Sequence, residues 1–133
     1  MTMNRFVLAT ALALGAMATA APAAEISTHV LDLARGIGGR DVPVVLLKKA
    51  DDGRWIEAAR ARTDENGRVR SFGTTNFDRG TYKLQFDMTR YPSPGATPFF
   101  PEIDLVFTVA DKVGHYHVPV VVSPFGYSTY RGN

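Results

Sequence analysis

Hydrophobic and polar residues alternate with a period of two along much of this chain. The apolar positions of the two clearest runs are Tyr82, Leu84, Phe86 and Met88 in one, and Ile103, Leu105, Phe107 and Val109 in the other. Successive side chains of a strand point to opposite faces, so each run predicts a half-buried strand. Asp52-Gly53, between 42–49 and 54–62, predicts a hairpin turn, and Asn66-Gly67, before 68–72, predicts another. Short strands with turns between them predict an all-β two-sheet sandwich, Greek-key-like in its connections.

Two segments interrupt this pattern. Residues 36–39 are expected to form a flexible connector after the first strand, because they lack the glycine spacing of a phosphate loop. Residues 91–101 contain four prolines, which excludes a strand and leaves at most a short helical turn near 89–92. We expect this proline-rich segment to cross from one sheet to the other.

The N-terminus has the pattern of a secretory signal peptide. Arg5 precedes an apolar run over 6–21, and Ala21-Pro22-Ala23 provides small residues for cleavage. The alternative is a membrane anchor, but the run is shorter than the ~20 residues that span a bilayer. We therefore expect residues 1–23 to be removed and the domain at 24–133 to work in the periplasm or as a secreted protein, without membrane contact.

Charge and cysteine content exclude several classes of function. Arg5 is the only charged residue in 1–23, so its removal leaves 14 basic and 13 acidic residues and a formal net charge of +1. This balance does not predict a nucleic-acid partner. The absence of cysteine excludes thiol catalysis, disulfides and thiolate metal sites.

The three histidines are the strongest candidates for chemistry. Alternation along 115–122 places Tyr116 and Val118 on one face and His115 and His117 on the other. Pro119 and Val121 are expected on that second face too. In the first strand the same reasoning points His29 outward together with Leu31. Imidazoles on an outward face that also carries apolar residues indicate a site at an interface.

Zinc is the alternative explanation for three histidines. A His-x-His pair on a strand with a third histidine elsewhere is the ligand set of a catalytic zinc site. The pair has no acidic neighbour in sequence except Asp111 to orient it, so we expect no metal. No serine lies in a G-x-S-x-G motif, and the acidic pairs lie at turns. General acid or base catalysis is therefore assigned to histidine.

Several segments together resemble one known family. They are Ser27-Thr28-His29-Val30-Leu31-Asp32, Arg35-Gly36, Asp41-Val42-Pro43-Val44, Asn66-Gly67-Arg68, Tyr82-Lys83-Leu84, His115-Tyr116-His117-Val118-Pro119, Ser123-Pro124 and the ending Tyr127-Ser128-Thr129-Tyr130-Arg131-Gly132. They span nearly all of 24–133 and resemble the transthyretin-related family, within it the branch that hydrolyses 5-hydroxyisourate in urate breakdown. Transthyretin itself shares the fold but lacks the histidines and the Tyr-Arg-Gly ending.

The resemblance implies a fold, an assembly and a site. It implies a transthyretin-like sandwich that forms dimers and then a homotetramer, with sites in a channel between dimers. It implies catalytic roles for His29, Arg68 and His117, substrate binding by His29, Arg68 and the terminal residues Tyr130, Arg131, Gly132 and Asn133, and no cofactor. The implied reaction adds water to a ring carbonyl of 5-hydroxyisourate and gives 2-oxo-4-hydroxy-4-carboxy-5-ureidoimidazoline.

This chain departs from the family at its last residue. The similar enzymes usually end in serine, whereas this chain ends in Asn133. A serine hydroxyl both donates and accepts within one rotating group, so a relay role does not transfer to the Asn133 amide. The alternative function is a non-catalytic carrier of a small ligand, as in transthyretin. His29, Arg68 and His117 count against it, because a carrier of an apolar ligand does not need them.

Overall fold

A computed structural model describes residues 24–73, 77–111 and 113–133 of the chain. Within these residues it has ten strands and no helix. The strands are β1 (Ala24–Asp32), β2 (Ile37–Gly38), β3 (Pro43–Lys49), β4 (Trp55–Arg62), β5 (Arg68–Val69), β6 (Gly80–Asp87), β7 (Glu102–Val109), β8 (Gly114–His117), β9 (Val120–Ser123) and β10 (Gly126–Thr129). The predicted signal peptide at 1–23 lies outside the described residues. No helix in the described part is long and apolar enough to cross a membrane.

The strands form two sheets, which confirms the predicted all-β sandwich. The first sheet is antiparallel in the order β4-β3-β6-β7, and Asp52-Gly53 makes the predicted hairpin between β3 and β4. The second sheet is built around β1, in the order β10-β9-β1-β2 with β5 and β8 also paired to β1. Strands β8 and β9 run parallel to β1, whereas β2 and β5 run antiparallel to it.

Apolar side chains from both sheets form one core. The predicted inward positions Tyr82, Leu84, Phe86, Met88, Ile103, Leu105 and Val109 are buried, and Phe107 packs against them. The second sheet contributes Ile26 and Val30 from β1 and Tyr116, Val118 and Val120 from the C-terminal segment. Pro119 is also fully buried, so its predicted outward position was wrong. His29 and His117, in contrast, are half-buried on the outer face.

The proline-rich segment at 91–101 does not cross between sheets, as we had expected. It joins β6 to β7, which are neighbours in the same sheet. Prolines exclude a strand, but they say nothing about where the chain returns to the sheet. The helical turn expected near 89–92 is a single hydrogen-bonded turn, in which the Tyr91 N–H donates to the Met88 carbonyl at 3.1 Å.

Two turn predictions were also partly wrong. Asn66-Gly67 was expected to close a hairpin, but it leads from β4 in one sheet to β5 in the other. Gly67 has a φ of 77°, so this position needs a glycine whichever strands the turn connects. The expected connector at 36–39 contains β2, whose Gly38 pairs with Leu31 of β1.

Candidate active site

Strand β1 assembles the site because three segments of the chain pair along it. In the antiparallel register with β5, His29 lies opposite Arg68. In the parallel register with β8, Ser27 lies opposite His117. Residues that face each other across a strand pair on one face of a sheet are in contact range. Residues that are 39 and 90 positions apart in sequence therefore meet on the outer face of β1.

Three of these residues, Ser27, Arg68 and His117, border a small cavity of about 190 Å³. Its lining includes Ser27, Arg68, His115, His117 and the terminal Asn133. His29 does not line this cavity, but it lies opposite Arg68, which does. The cavity is thus surrounded by imidazole, guanidinium, hydroxyl and amide groups.

The His29 ring has a defined tautomer. Its Nε2 lies 2.8 Å from the main-chain carbonyl oxygen of Asn66. A carbonyl accepts only, so Nε2 carries the proton and Nδ1 keeps the free lone pair. Partial burial lowers the pKa of His29, the Asn66 carbonyl opposes this change, and the nearby Arg68 charge adds to it. At neutral pH this imidazole is a neutral base.

The turn that holds His29 is itself fixed by a carboxylate. Asp64 accepts hydrogen bonds from the main-chain N–H groups of Asn66 and Arg68, each at 2.9 Å. The Gly67 N–H donates to the Asp64 carbonyl, also at 2.9 Å. These three bonds place the Asn66 carbonyl against His29 and start β5 at Arg68. Asp64 is therefore a structural support of the site.

His117 is held by a hydrogen bond at one of its two ring nitrogens, Nδ1. Its Nδ1 lies 2.7 Å from the Ser27 hydroxyl, and the same hydroxyl lies 2.7 Å from His115 Nε2. Burial lowers the pKa of His117, and the positive charges of Arg68, His115 and His29 lower it further. Like His29, His117 is neutral at neutral pH. Its second ring nitrogen, Nε2, is therefore the one that can exchange a proton with water or substrate.

The C-terminal segment packs directly on His117. The Gly132 N–H donates to the His117 carbonyl at 2.8 Å. A Cβ on residue 132 would lie 2.5 Å from His117 Cδ2, so only glycine fits beside this ring. The glycine thus brings the chain end close enough for Asn133 to line the cavity.

Tyr130 and Arg131 lie away from the histidine cavity within the single chain. Both line a second cavity of about 550 Å³, together with residues of β7. The Arg131 guanidinium carbon lies 5.0 Å from the centre of the Tyr116 ring, in the range of a cation–π contact. Tyr116 and His117 are neighbours in β8 and point to opposite faces. The structure thus brings Arg68, His117 and Asn133 to one cavity, with His29 opposite Arg68, and separates them from Arg131.

Two further observations concern the sequence-based assignments. In 24–73, 77–111 and 113–133, no group of three or more His, Asp or Glu side chains stands in a geometry that could hold a metal ion. Sequence reasoning also assigned no role to Ser27, which is 4% exposed and contacts both histidines of the pair. Ser27 lies two residues before His29 on the same face of β1, and this spacing was the signal that could have identified it.

Fold and site together define a transthyretin-like sandwich with a cluster of histidine and arginine on the outer face of one sheet. The chain belongs to the HIUase/Transthyretin family, whose model matches residues 26–132. It is 39% identical to the 5-hydroxyisourate hydrolase of Salmonella typhi over 98% of this chain and all of the relative. It is 35% identical to the mouse (Mus musculus) enzyme of the same name, over 86% of this chain and 99% of the relative. Transthyretin from Sparus aurata superposes with a TM-score of 0.74 at 30% identity, covering 81% of this chain and 96% of that one.

Proposed function

We infer that this chain is a hydrolase that opens the ring of 5-hydroxyisourate in urate breakdown. The observation that carries the inference is the convergence of Arg68 and His117 on one cavity, with His29 opposite Arg68 in the pair of strands β1 and β5. Relatives named as 5-hydroxyisourate hydrolases match nearly the whole chain and favour catalysis over the carrier alternative. The polar character of the cavity agrees with a small, oxygen-rich substrate.

The histidines supply the proton transfers that ring opening needs. A water molecule adds its oxygen to a ring carbonyl carbon while an imidazole takes one of its protons. The carbon–nitrogen bond of the ring then breaks, and the leaving nitrogen receives a proton from an imidazolium. His29 Nδ1 and His117 Nε2 are the two free lone pairs, and the lowered pKa of each ring keeps both in the base form at neutral pH.

Arg68 supplies positive charge without competing for the proton. Its guanidinium is always protonated and presents a planar set of donors that suits a planar substrate rich in carbonyl oxygens. Negative charge develops on the attacked carbonyl oxygen as water adds, and a fixed cation stabilises that charge more than it stabilises the neutral substrate. We therefore assign to Arg68 both substrate orientation and stabilisation of the transition state. Terminal residues 130–133 are proposed to complete the binding surface.

We also propose that four chains associate. Strands β7 and β10 are edge strands of the described sheets, and an edge strand offers unpaired main-chain groups to a second copy. Val106 on β7 and Tyr127 on β10 expose 60% and 42% of their surfaces. Assembly through this region would cover the cavity that holds Tyr130 and Arg131 and could bring them to a neighbouring site. Sedimentation equilibrium tests this proposal, and a monomer at assay concentration contradicts it.

Export of the mature domain is proposed from the N-terminal sequence. The pattern at 1–23 supports cleavage before Ala24 and a periplasmic or secreted enzyme. Expression of the full chain in a bacterial host, followed by fractionation and N-terminal sequencing, tests it. A full-length protein found in the cytoplasm contradicts it.

The hydrolase function is tested with freshly prepared 5-hydroxyisourate. The substrate absorbs in the ultraviolet, so its disappearance is followed after mixing with purified protein and compared with its decay in buffer. We expect acceleration in proportion to protein concentration. Decay at the buffer rate in the presence of folded protein would contradict the function. Binding of the intact substrate without turnover would instead support the carrier.

A further inference from the structure

We propose that Ser27 and His115 form a proton relay to His117, so that both are positioning residues of the reaction. The proposal rests on the hydrolase function proposed above and extends it beyond the residues that the resemblance implies. It starts from one hydroxyl that lies 2.7 Å from two imidazole nitrogens, His115 Nε2 and His117 Nδ1. Ser27 and His115 lie in segments that carry the resemblance, but the resemblance implies no role for either residue.

The hydroxyl couples the protonation states of the two rings. Ser27 has one proton, so it donates to one imidazole and must accept from the other. If His117 is to act as a base through Nε2, its neutral ring carries the proton on Nδ1 and donates it to the Ser27 oxygen. The Ser27 hydroxyl then donates to His115 Nε2, and His115 carries its own proton on Nδ1. One arrangement of protons thus makes His117 a base.

The relay moves one proton along two short bonds. After His117 Nε2 has taken a proton from water, the Nδ1 proton passes to the Ser27 oxygen. The hydroxyl proton of Ser27 passes at the same time to His115 Nε2, so Ser27 remains neutral. His117 is then neutral with a proton on Nε2, and the positive charge lies on His115. When the proton returns from His115 through the Ser27 hydroxyl to His117 Nδ1, His117 is again an imidazolium. It donates its Nε2 proton to the leaving nitrogen, and this restores the starting state.

Electrostatics favours this transfer. A charged His117 is partly buried and lies near the Arg68 guanidinium, and both effects disfavour its protonated form. His115 is exposed to solvent, where a positive charge is better hydrated. The other charged groups around the relay are Arg70 in the cavity lining and Glu25, which pairs with His115 across β1 and β8. Glu25 adds a negative charge on the side of His115.

Nuclear magnetic resonance of the ¹⁵N-labelled protein tests the coupling without reference to turnover. We expect the His117 Nδ1 shift to respond to the titration of His115, so that each ring shows a two-step curve. In Ser27→Ala only the through-space effect of the His115 charge remains, so the response of the His117 Nδ1 shift to His115 should become clearly smaller. Ser27→Thr keeps a hydroxyl and should keep the two-step curve. Two results would overturn the relay. One is a His117 Nδ1 shift in the parent protein that does not change as His115 titrates. The other is a His117 titration curve in Ser27→Ala that equals the parent curve.

Kinetics tests the role of the relay in the reaction. We expect Ser27→Ala to lower kcat about tenfold, the rate equivalent of one net hydrogen bond, with KM near the parent value. The matched control is Ser93→Ala, an exposed serine of the 91–101 segment, which should leave kcat unchanged. His115→Asn should lower kcat as much as Ser27→Ala, and the double variant should be no slower than either, because both break one unit.

His115→Asn keeps the test decisive if the buried Ser27 variant does not fold, because an exposed residue contributes little to stability. Parent kcat in folded His115→Asn would overturn the relay, as would fully additive losses in the double variant. Failure of the proposed function has a different signature. The parent protein would then not hydrolyse 5-hydroxyisourate at all, and the titration experiment would still decide whether the two rings are coupled.

Discussion

Gly132→Ala should strongly lower activity, because the single methyl group that it adds collides with the His117 ring. The added Cβ would lie 2.5 Å from His117 Cδ2 and 3.2 Å from Cγ. Carbon atoms pack at about 3.5 Å or more, so the ring or the chain end must move by about 1 Å. A ring displacement breaks the Ser27 contact, whereas a displaced chain end loses the Gly132 N–H bond to His117 and withdraws Asn133. A misplacement of about 1 Å costs on the order of 10²-fold in rate.

Stability should change far less than activity. Residue 132 lies outside the apolar core, and the chain end can shift, so we expect a loss near the lower end of the ~1–3 kcal/mol that overpacking costs. The assay combines kcat/KM on 5-hydroxyisourate with thermal unfolding followed by circular dichroism. The matched control is Gly126→Ala, where the nearest atom would be Ser123 Oγ at 3.6 Å, an ordinary contact. A folded Gly132→Ala protein that works at the parent rate would refute the reasoning.

Four further experiments test the site. His29→Ala and His117→Ala should each lower activity about 10²-fold or more while the protein stays folded, since both rings face outward; circular dichroism beside the rate assay decides this. Both pKa values are lowered from 6.5, so activity should hold at neutral pH and fall only below 6.5. The histidine contribution to stability should be fully present above 6.5 and be lost as pH falls through the lowered values. Activity should survive dialysis against a chelator, and loss with recovery on zinc addition would contradict this. Asn133→Ser should keep or raise the rate, whereas deletion of 130–133 should abolish it in a folded protein; a truncated enzyme at the parent rate excludes the terminus from the site.

The local alternation of apolar and polar residues was sufficient to predict the strands, but not to predict which strands pair with one another. The alternation at Tyr82, Leu84 and Phe86 predicted β6 because burial on one face of a sheet imposes a period of two wherever the strand lies. The same information could not place the 91–101 segment, since no local signal says whether β6 and β7 share a sheet. Asn66-Gly67 shows the same limit, because the left-handed φ that its glycine supplies serves a hairpin and a crossing between sheets equally well.

The same distinction applies to the site: local pattern predicted some of its features, and the others depend on contacts between distant segments. Outward orientation of His29 and His117 came from alternation, and both are half-buried on the outer face. The role of Arg68 came only from resemblance, because two residues of β5 are too few to show a period. The Ser27 contacts depend on the parallel register of β1 with β8, which pairs residues about ninety positions apart. Such a register is set by packing of the whole sheet, so no short window of sequence contains it.

The separation of Arg131 from the histidines is informative about how the site is built. Gly132 packs against the His117 ring, whereas the Arg131 guanidinium lies over the ring of Tyr116, which points to the opposite face of β8. Asn133 lines the histidine cavity, and Arg131 is stacked on Tyr116 beside the β7 and β10 edges. An arginine needed by the same substrate would therefore have to act from another chain. The terminal tetrapeptide would then serve two sites, Asn133 in its own subunit and Arg131 in a neighbour, and catalysis would require the assembled protein.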